Sequence, residues 1–370
     1  MSYFIGVMSG TSLDGIDVAL TSLSESGRFQ LVAAKTFPFP KDLYLKLQSL
    51  IVNQASSLYD LGEIDIALGQ LIGFSINQLL EEQQLSANDI SAIGSHGQTI
   101  FHSPAGEFPF SLQIGDASHI AEITGITTIA DFRQRDIAAG GQGAPLVPAF
   151  HHAVFRSTNE DRVIVNIGGI SNLTLLPASS NDPIIGFDTG PGNVLLDYWI
   201  KLQLNKPYDH SGEWAASGIC NHDILNQLLD ETYFRQSIPK STGRELFNPH
   251  WCEKKIAEYI QEIPSADIQA TFAELTVQTI ANDIIKYAKP ASSVFICGGG
   301  AHNNHLMNRL QALMGNTKVS TTDDLGICPD WVEACAFAWL AYRTINNKSG
   351  NLPSVTGANQ FVILGAIYPG

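Results

Sequence analysis

The 370-residue sequence has few charged residues, few cysteines and no long apolar run. Only 15% of its residues are charged and 44% are hydrophobic, which excludes a disordered chain and leaves ample material for a buried core. None of the five cysteines forms a CxxC pair, so we expect reduced thiols and a cytoplasmic protein. No basic leader and no apolar stretch near the ~20 residues of a membrane span is found, so neither export nor membrane insertion is predicted.

Basic residues are also scarce, and two common phosphate-binding motifs are missing. The 36 acidic and 21 basic residues give a formal charge of -15, and such a surface repels nucleic acid and anionic lipid. Neither GxxxxGK[ST] nor GxGxxG occurs, which disfavours a P-loop and a dinucleotide site. An anionic ligand can still bind to such a chain if backbone amides, helix N-termini and a metal ion supply positive potential.

Four glycine-rich turns each follow a short apolar run that predicts a β-strand. They lie near Gly10, Gly168, Gly190 and Gly298. One such turn would carry little information, because glycine is the usual residue of any tight turn. Four turns that also contain Ser, Thr, Asn or Asp favour a ligand whose phosphates are held by backbone N–H groups from several loops. Residues 163–176 repeat the strand, turn, strand order of the N-terminus, which indicates two related halves.

The length suits two domains of common size, and strands alternate with helical patterns along the chain. Apolar spacing predicts long helices over residues 268–288 and 331–346. We therefore expect an α/β fold with sheets covered by helices. The first domain is predicted to contain residues 1–132 and a returning tail from about 346 to 370, and the second to contain residues 133–345.

Longer motifs make a family resemblance specific. The string GVMSGTSLDGID at residues 6–17 resembles the N-terminal signature of anhydro-N-acetylmuramic acid kinases, a far more restrictive match than a glycine turn. Matching motifs continue over nearly the whole chain, at residues 95–99 (SHGQT), 131–133 (DFR), 140–148 (GGQGAPLVP), 166–172 (NIGGISN), 187–193 (FDTGPGN), 297–303 (CGGGAHN) and 352–358 (LPSVTGA). The resemblance implies two actin-like (ribonuclease H-like) domains, with mixed sheets flanked by helices and an ATP cleft between them.

The resemblance also implies the reaction. In that family, water opens the 1,6-anhydro ring of anhydro-N-acetylmuramic acid while ATP, with Mg²⁺, phosphorylates the freed six-position oxygen in peptidoglycan recycling. Attack by water at the anomeric carbon needs a carboxylate base, and the resemblance assigns this role to Asp188. Asp188 also follows an apolar strand, where α/β active sites gather, although Asp is equally common in plain turns.

A second set of matched residues is implied to bind the sugar. These residues are His96, Gln98, Thr99, Asp131, Arg133 and Glu333. Arg133 could hold the lactyl carboxylate of the sugar through its guanidinium fork, whereas Arg135 is better explained by pairing on a solvated loop. A histidine after a strand is more often structural, so the prediction for His96 depends on the motif. Glu333 opens an otherwise apolar helix, but with Asp330 it also has the spacing of an N-terminal capping box.

The third set is implied to bind the nucleotide. These residues are Gly10, Thr11, Ser12, Leu13, Asp14, Gly15, Ile16, Asp17, Gly168, Gly169, Gly190, Gly298, Gly299, Gly300 and Asn303. Asp14 and Asp17 are candidates for positioning Mg²⁺ or a phosphate-bound water, but the metal ligands stay open. No cysteine or carboxylate cluster of zinc-site type accompanies the histidines. The resemblance further implies a homodimer.

Two other functions are compatible with parts of the sequence. A non-catalytic nucleotide switch of the same fold would use the glycine turns, but it would not need the polar motifs at residues 95–99 and 131–133. A glycoside hydrolase could use Asp188 and Glu333 as its carboxylate pair, but it would leave the glycine-rich turns without a role.

Overall fold

The computed structural model describes residues 2–10, 13–24, 27–243, 245–288 and 293–370. The strands, in chain order, are β1 (Ser2–Ser9), β2 (Ile16–Leu23), β3 (Phe29–Phe37), β4 (Ile90–Ser103), β5 (Phe110–Ile114), β6 (Thr128–Ala130), β7 (Arg162–Ile167), β8 (Ile170–Leu176), β9 (Ile185–Pro191), β10 (Ser293–Cys297), β11 (Val319–Thr321) and β12 (Ala366–Tyr368). The α-helices are α1 (Lys41–Asn53), α2 (Leu58–Glu82), α3 (Ala117–Thr124), α4 (Phe132–Ala138), α5 (Val147–Phe155), α6 (Val194–Leu204), α7 (Glu213–Ser217), α8 (His222–Leu229), α9 (Pro249–Ile256), α10 (Ser265–Tyr287), α11 (Asn304–Met314), α12 (Val332–Ile345) and α13 (Pro353–Thr356).

The chain divides into two compact units. Unit 1 contains Met1–Val154 and Trp331–Gly370, and unit 2 contains Phe155–Asp330. In the described part of unit 1, the strand order is β12-β6-β4-β1-β2-β3, with β5 paired to β4. Strand β1 is antiparallel to β2 and parallel to β4, so the sheet is mixed.

Helix α12 packs directly on β1 and β4 of unit 1. Glycine makes this contact possible on both strands. A Cβ atom added to Gly6 would lie 1.8 Å from the carbonyl oxygen of Ala334, and one added to Gly94 would lie 2.1 Å from that of Phe337. No other residue type would allow the helix backbone so close to the sheet. The helix, with Glu333 in its first turn, is therefore held tightly against the strands.

The sheet of unit 2 has the order β11-β10-β7-β8-β9. Strands β7, β8 and β9 are antiparallel neighbours, whereas β10 is parallel to β7 and β11 is parallel to β10. The inner face of this sheet joins a core with α6 and α10, to which Val165, Leu173 and Phe187 contribute. Burial of this apolar face is the main favourable contribution to the folding of the unit.

Both sheets repeat one topology. In each, an antiparallel meander of three strands (β1-β2-β3 and β7-β8-β9) is extended from its first strand by parallel strands (β4-β6 and β10-β11). This repeat agrees with the related halves that the sequence indicates. The expected fold class, two α/β units with mixed sheets flanked by helices, is confirmed.

The unit boundaries fall after Val154 and after Asp330, whereas the boundaries predicted from the sequence lie at 132/133 and near 346. Residues just after 132 belong with unit 1 because α4 is anchored there, for example by the hydrogen bonds of Arg133 to His96. Helix α12 belongs with unit 1 because it lies on β1 and β4. The tail adds β12 to the edge of the same sheet, next to β6. Within the described residues, no helix is long and apolar enough to span a membrane.

Candidate active site

The turn between β1 and β2 contains the predicted phosphate-binding residues of unit 1. Thr11 and Ser12 lie outside the described residues. The Leu13 amide donates a hydrogen bond to the Gly10 carbonyl at 3.1 Å, and Leu13 has a φ of 60°. Leu13 therefore has a left-handed backbone conformation, with its N–H directed back to Gly10.

The rest of this turn is fixed by packing. A Cβ atom on Gly15 would lie 2.4 Å from Cγ2 of Thr36, so glycine is required where β2 approaches β3. Ile16 is buried, and only its backbone could contact a nucleotide. Asp14 is exposed, while Asp17 is half-buried and accepts a hydrogen bond from Thr36 Oγ1 at 2.7 Å. These two carboxylates are the acidic groups that the turn offers to a cation.

Arg133 and His96 form a hydrogen-bonded pair in unit 1. His96 is buried, with Nδ1 2.9 Å from the Gly97 carbonyl, and its Nε2 accepts from Nη2 (2.8 Å) and Nε (3.2 Å) of Arg133. Burial, and then the nearby guanidinium, holds the pKa of His96 well below its usual range. The imidazole is therefore neutral and carries its proton on Nδ1.

The guanidinium of Arg133 retains free donors. Its Nη1 donates to the Gly143 carbonyl at 2.8 Å, which with the two bonds to His96 makes three hydrogen bonds. A guanidinium has five N–H donors, so two stay available to a ligand. Burial lowers the pKa of Arg133 to about 10, which keeps it charged at neutral pH. A half-buried cation oriented in this way is suited to a carboxylate.

Glu333 lies within electrostatic range of both Arg133 and Asp17. The pKa of Glu333 is raised, first by burial and then by the negative charge of Asp17, while Arg133 opposes the change. In the described residues, helix α12 has Trp331 as its N-cap residue and no side-chain cap, so Glu333 and Asp330 do not form the N-terminal capping box that their spacing allows. The half-buried carboxyl group is thus available for a ligand.

The other predicted sugar ligands of unit 1 differ in accessibility. Gln98 is fully buried, and its Oε1 accepts from Ser9 Oγ at 2.6 Å, which ties β4 to β1. Thr99 is half-buried and accepts from the side chain of Gln113. Asp131 is exposed, has a φ of 56°, and accepts from the Tyr368 hydroxyl at 2.9 Å. Direct contact of Gln98 with a sugar would require its bond to Ser9 to open.

A polar cavity of about 110 Å³ lies beside this group. His96, Asp131 and Ser95 are among its lining residues. Ser95 is buried, and its Oγ has no hydrogen-bond partner among the described residues. A buried hydroxyl without a partner is uncommon and indicates a place where a polar ligand or water belongs.

The glycine turns of unit 2 converge. The amides of Gly192 and Asn193 donate to the carbonyls of Gly169 and Gly168 at 2.9 and 2.8 Å, which joins the turn after β7 to the end of β9. The side chain of Asn193 donates to the Ile167 carbonyl at 3.1 Å. The turn after β9 is thereby fixed against the turn after β7.

Five of the six predicted glycines of unit 2 fall into two groups. Gly190, Gly298 and Gly300 are needed for packing, because an added Cβ atom would lie 2.7, 2.2 and 2.3 Å from a neighbouring atom. Gly168 and Gly299 are open, since a Cβ atom there would meet nothing closer than 3.5 and 3.9 Å. A phosphate can approach the backbone at these two open positions. Open backbone of this kind is suited to binding the phosphates of a nucleotide.

Asn303 acts as a helix cap in the structure. Its Oδ1 accepts from the Leu306 amide at 3.0 Å and so begins α11. Asn303 is buried, and its role as a nucleotide ligand stays a prediction.

Asp188 lies on β9 of unit 2 and is half-buried. Its Oδ2 accepts from Ser241 Oγ at 2.8 Å and from the Thr242 amide at 3.0 Å. Its backbone is held as well, because the Tyr233 hydroxyl donates to its carbonyl at 2.7 Å and its amide donates to the Lys240 carbonyl at 3.2 Å. One carboxylate oxygen is thus occupied, while Oδ1 makes no hydrogen bond to any described residue.

The pKa of Asp188 is raised to about 6. Burial is the largest cause, and the bonds from Thr242 and Ser241 oppose it. Glu245 raises the pKa further, and the positive charge of Lys240 lowers it. A carboxylate with a pKa just below neutral is mostly ionised at pH 7 yet basic enough to take a proton, as a general base must be.

A buried ion pair supports the segment that holds Asp188. Lys240 Nζ lies 3.2 Å from Asp283 Oδ2, with the two side chains 2% and 10% exposed. The ammonium also lies over the rings of Tyr233 and Phe187, at 5.0 and 5.6 Å from their centroids. No sequence motif marks either member of this pair. A lysine and an aspartate so far apart in the chain give no local signal, and only their burial marks them.

The described residues contain no group of three His, Cys, Asp or Glu side chains that could hold a metal ion. Mg²⁺ in phosphoryl-transfer sites is commonly bound by one or two carboxylates together with substrate phosphates. The donor set of the β1–β2 turn, Asp14 and Asp17, fits that pattern.

Comparisons with known proteins identify the family of the chain. The family model described as anhydro-N-acetylmuramic acid kinase matches residues 2–370. An anhydro-N-acetylmuramic acid kinase of Coxiella burnetii (strain Dugway 5J108-111) is 50% identical over 367 residues, covering 99% of this chain and 97% of the relative. That of Pasteurella multocida (strain Pm70) is 51% identical over 369 residues, with coverage of 99% and 97%.

A solved structure shares the fold at low sequence identity. Component A of the (R)-2-hydroxyglutaryl-CoA dehydratase of Acidaminococcus fermentans matches with a TM-score of 0.50 and 12% identity, covering 93% of this chain and 98% of that one. This likeness bears on the fold alone. The family model and the two close relatives each cover nearly the whole chain, so the chain belongs to the anhydro-N-acetylmuramic acid kinase family.

Proposed function

We propose that this chain is an ATP-dependent kinase that opens 1,6-anhydro-N-acetylmuramic acid with water and phosphorylates it to N-acetylmuramic acid 6-phosphate. The observation that carries the proposal is Asp188, whose pKa of about 6 and free Oδ1 suit a general base. Membership of the family supplies the substrate class. Peptidoglycan recycling in the cytoplasm is the corresponding role.

Asp188 accepts a proton from the attacking water. The water oxygen bonds to the anomeric carbon, and the bond between that carbon and the six-position oxygen breaks. The freed oxygen attacks the γ-phosphorus of ATP, the bond between that phosphorus and the β,γ-bridging oxygen breaks, and ADP leaves with the electron pair of that bond. No separate acid is needed, because the departing oxygen forms a bond to phosphorus instead of taking up a proton. Ser241 and Thr242 hold the base in place throughout.

Binding is assigned to backbone and to a few charged groups. Gly168 and Gly299 offer open backbone to the phosphates, and the residues of the motif between β1 and β2 are proposed to bind them as well. Mg²⁺, when bound, neutralises charge that develops on the phosphates, and Asp14 and Asp17 are the residues to hold it or its water ligands. We also propose a homodimer, which light scattering of the purified protein can test.

Arg133 is proposed to bind the lactyl carboxylate of the sugar. Its two free N–H donors and its charge match a carboxylate, and His96 and Gly143 fix its orientation. Glu333 is proposed to accept hydrogen bonds from sugar hydroxyl groups. Glu333 lies within electrostatic range of Arg133, which supports a role for both groups in binding one substrate.

The decisive experiment is incubation of the purified protein with 1,6-anhydro-N-acetylmuramic acid, with and without ATP and Mg²⁺, followed by mass spectrometry. ATP-dependent formation of the sugar 6-phosphate is the expected result. Ring opening without ATP would indicate a hydrolase, and no reaction at all would favour a nucleotide switch.

Asp188→Asn should abolish turnover while leaving the Kd for nucleotide within about twofold, because the change removes the base and keeps its shape. Asp223→Asn, at an exposed aspartate of α8, is the matched control and should behave as wild type. A fully active Asp188→Asn variant would remove Asp188 from the mechanism.

A further inference from the structure

A row of three polar side chains crosses the sheet of unit 2. Asp188 of β9 is paired directly with Asn172 of β8, and Asn172 with Asn166 of β7. The adjacent row, Phe187, Leu173 and Val165, is buried in the core of the unit. Because neighbouring residues of a strand point to opposite faces, the polar row lies on the face turned away from that core.

A β-bulge sits beside this row. Ser171 pairs with Gly190 and Asn172 with Asp188, so Thr189 is an extra residue in β9. Its Oγ1 donates to the Ser171 carbonyl at 3.2 Å, which fixes the bulge. Bulges are frequent next to active sites, where they reorient a side chain. Here the bulge begins directly after Asp188.

Asn172 and Asp188 have complementary free groups. Both are half-buried, and residues directly opposite on antiparallel strands have Cβ atoms about 4.5–5.5 Å apart. In the described part of the chain, the side-chain amide of Asn172 makes no hydrogen bond, and neither does Oδ1 of Asp188. Two half-buried polar groups this close, both without a partner among the described residues, can share one water molecule.

We propose that Asn172 is a catalytic residue that holds the attacking water against Asp188. This inference rests on the proposed function. A water molecule has two O–H groups. Asp188 Oδ1 accepts the one that is broken, and the carbonyl oxygen of the Asn172 amide accepts the other. With both protons directed to the protein, a lone pair of the water oxygen is left for the anomeric carbon.

The role assigned to Asn172 is geometric. The proton leaves water for Asp188, and the oxygen forms its bond to carbon, so the amide neither gains nor loses a proton. An amide is suited to this position because it stays neutral at all relevant pH values. A carboxylate there would instead place a second negative charge opposite Asp188 and raise its pKa.

Two variants test the proposal. Asn172→Ala should lower kcat by about 10²-fold, the typical effect of misplacing a reacting group, with KM for both substrates within about twofold. Asn172→Asp keeps an acceptor but adds charge, so the acid limb of its pH–rate profile should move to higher pH while activity recovers in alkaline solution. The charged and titratable groups that already face Asp188 are Lys240, Glu245 and Tyr233, and neither variant changes them.

Asn181→Ala is the matched control, since Asn181 is exposed on the loop before β9, and it should behave as wild type. Unchanged kcat in Asn172→Ala would overturn the proposal, and so would a loss confined to KM, because a water-holding group acts in the chemical step. An Asn172→Asp profile that does not move would also contradict it. A wild-type protein that forms no sugar phosphate would instead refute the proposed function, and with it this inference.

Discussion

Replacing Asp188, the proposed catalytic base, by asparagine should make this protein more stable, and the gain in stability should grow with pH. Burial raises the pKa of Asp188 from 3.8 to about 6, so the folded state disfavours the ionised carboxylate that the proposed mechanism needs. Asp188→Asn removes this cost and retains an oxygen that can accept from Ser241 and Thr242.

The magnitude follows from the two pKa values. The unfolded chain ionises Asp188 above pH 3.8, while the folded chain keeps the proton up to about pH 6. Unfolding in this window releases a proton, so the free energy of unfolding of the wild type falls as the pH rises, and it levels off above the window. The cost of the carboxylate is about 0.5 kcal/mol at pH 4 and about 3 kcal/mol at pH 8. Asparagine has no such dependence.

Urea unfolding of both proteins, followed by tryptophan fluorescence between pH 4 and pH 8, measures this difference. The stability advantage of Asp188→Asn over wild type should increase by about 2.5 kcal/mol across the range, with most of the change below pH 6. The increment is the informative quantity, since any steric effect of the substitution is the same at every pH.

Glu231→Gln supplies a control of opposite sign. The indole of Trp251 donates to Glu231 at 2.8 Å and is the largest cause that lowers the pKa of this carboxyl group. Its carboxylate therefore stabilises the fold at neutral pH, and this contribution disappears as the pH falls through the lowered pKa. Glu231→Gln should be less stable than wild type at pH 8 and approach it in acid. A pH-independent difference between Asp188→Asn and wild type would refute the burial of the base.

Three further predictions concern packing, the buried ion pair and the sugar. Lys240→Met leaves Asp283 buried without its partner and should lower the free energy of unfolding in urea by about 3–5 kcal/mol. Adding Asp283→Leu to this variant should recover most of the loss. A double variant no more stable than the single one would contradict the buried pair. Gly94→Ala should lower the free energy of unfolding by about 1–3 kcal/mol or more, because the backbone of α12 blocks the new methyl group. Gly62→Ala, at an open position of α2, should raise it by about 0.5–1 kcal/mol. Equal effects of the two substitutions would argue against the tight contact of α12 with β4. In steady-state assays, Arg133→Lys should raise KM for 1,6-anhydro-N-acetylmuramic acid about tenfold. KM for 1,6-anhydro-N-acetylglucosamine, which lacks the lactyl carboxylate, should stay unchanged. An equal increase in KM for both sugars would show that Arg133 does not bind the carboxylate.

Local patterns in the sequence predicted the elements that present the site. Helices expected at 268–288 and 331–346 are observed as Ser265–Tyr287 and Val332–Ile345, because apolar spacing over several turns is a strong signal. The strands before the glycine turns were equally clear. Family motifs then named Asp188, for which composition alone left a plain turn equally acceptable.

The surroundings of Asp188 could not be predicted in the same way. Its partners Ser241 and Thr242 lie more than fifty residues away in the chain, in a segment without helical or strand periodicity. Its position opposite Asn172 depends on the register of β8 and β9 and on a bulge, neither of which a single sequence reveals. The membership of α12 in unit 1 is also a tertiary fact, because the pattern of a helix does not say which sheet it will cover.

The glycine-lined contact of α12 with β1 and β4 has a consequence for synthesis on the ribosome. Unit 2 is one uninterrupted stretch, whereas unit 1 is closed by a helix translated after all of unit 2. Unit 2 can therefore complete its fold first. Until α12 is made, strands β1 and β4 of unit 1 lack the helix that covers them and are exposed to chaperones and to aggregation. A released chain truncated after Asp330 should accordingly have protease-sensitive N-terminal strands beside a protected central unit.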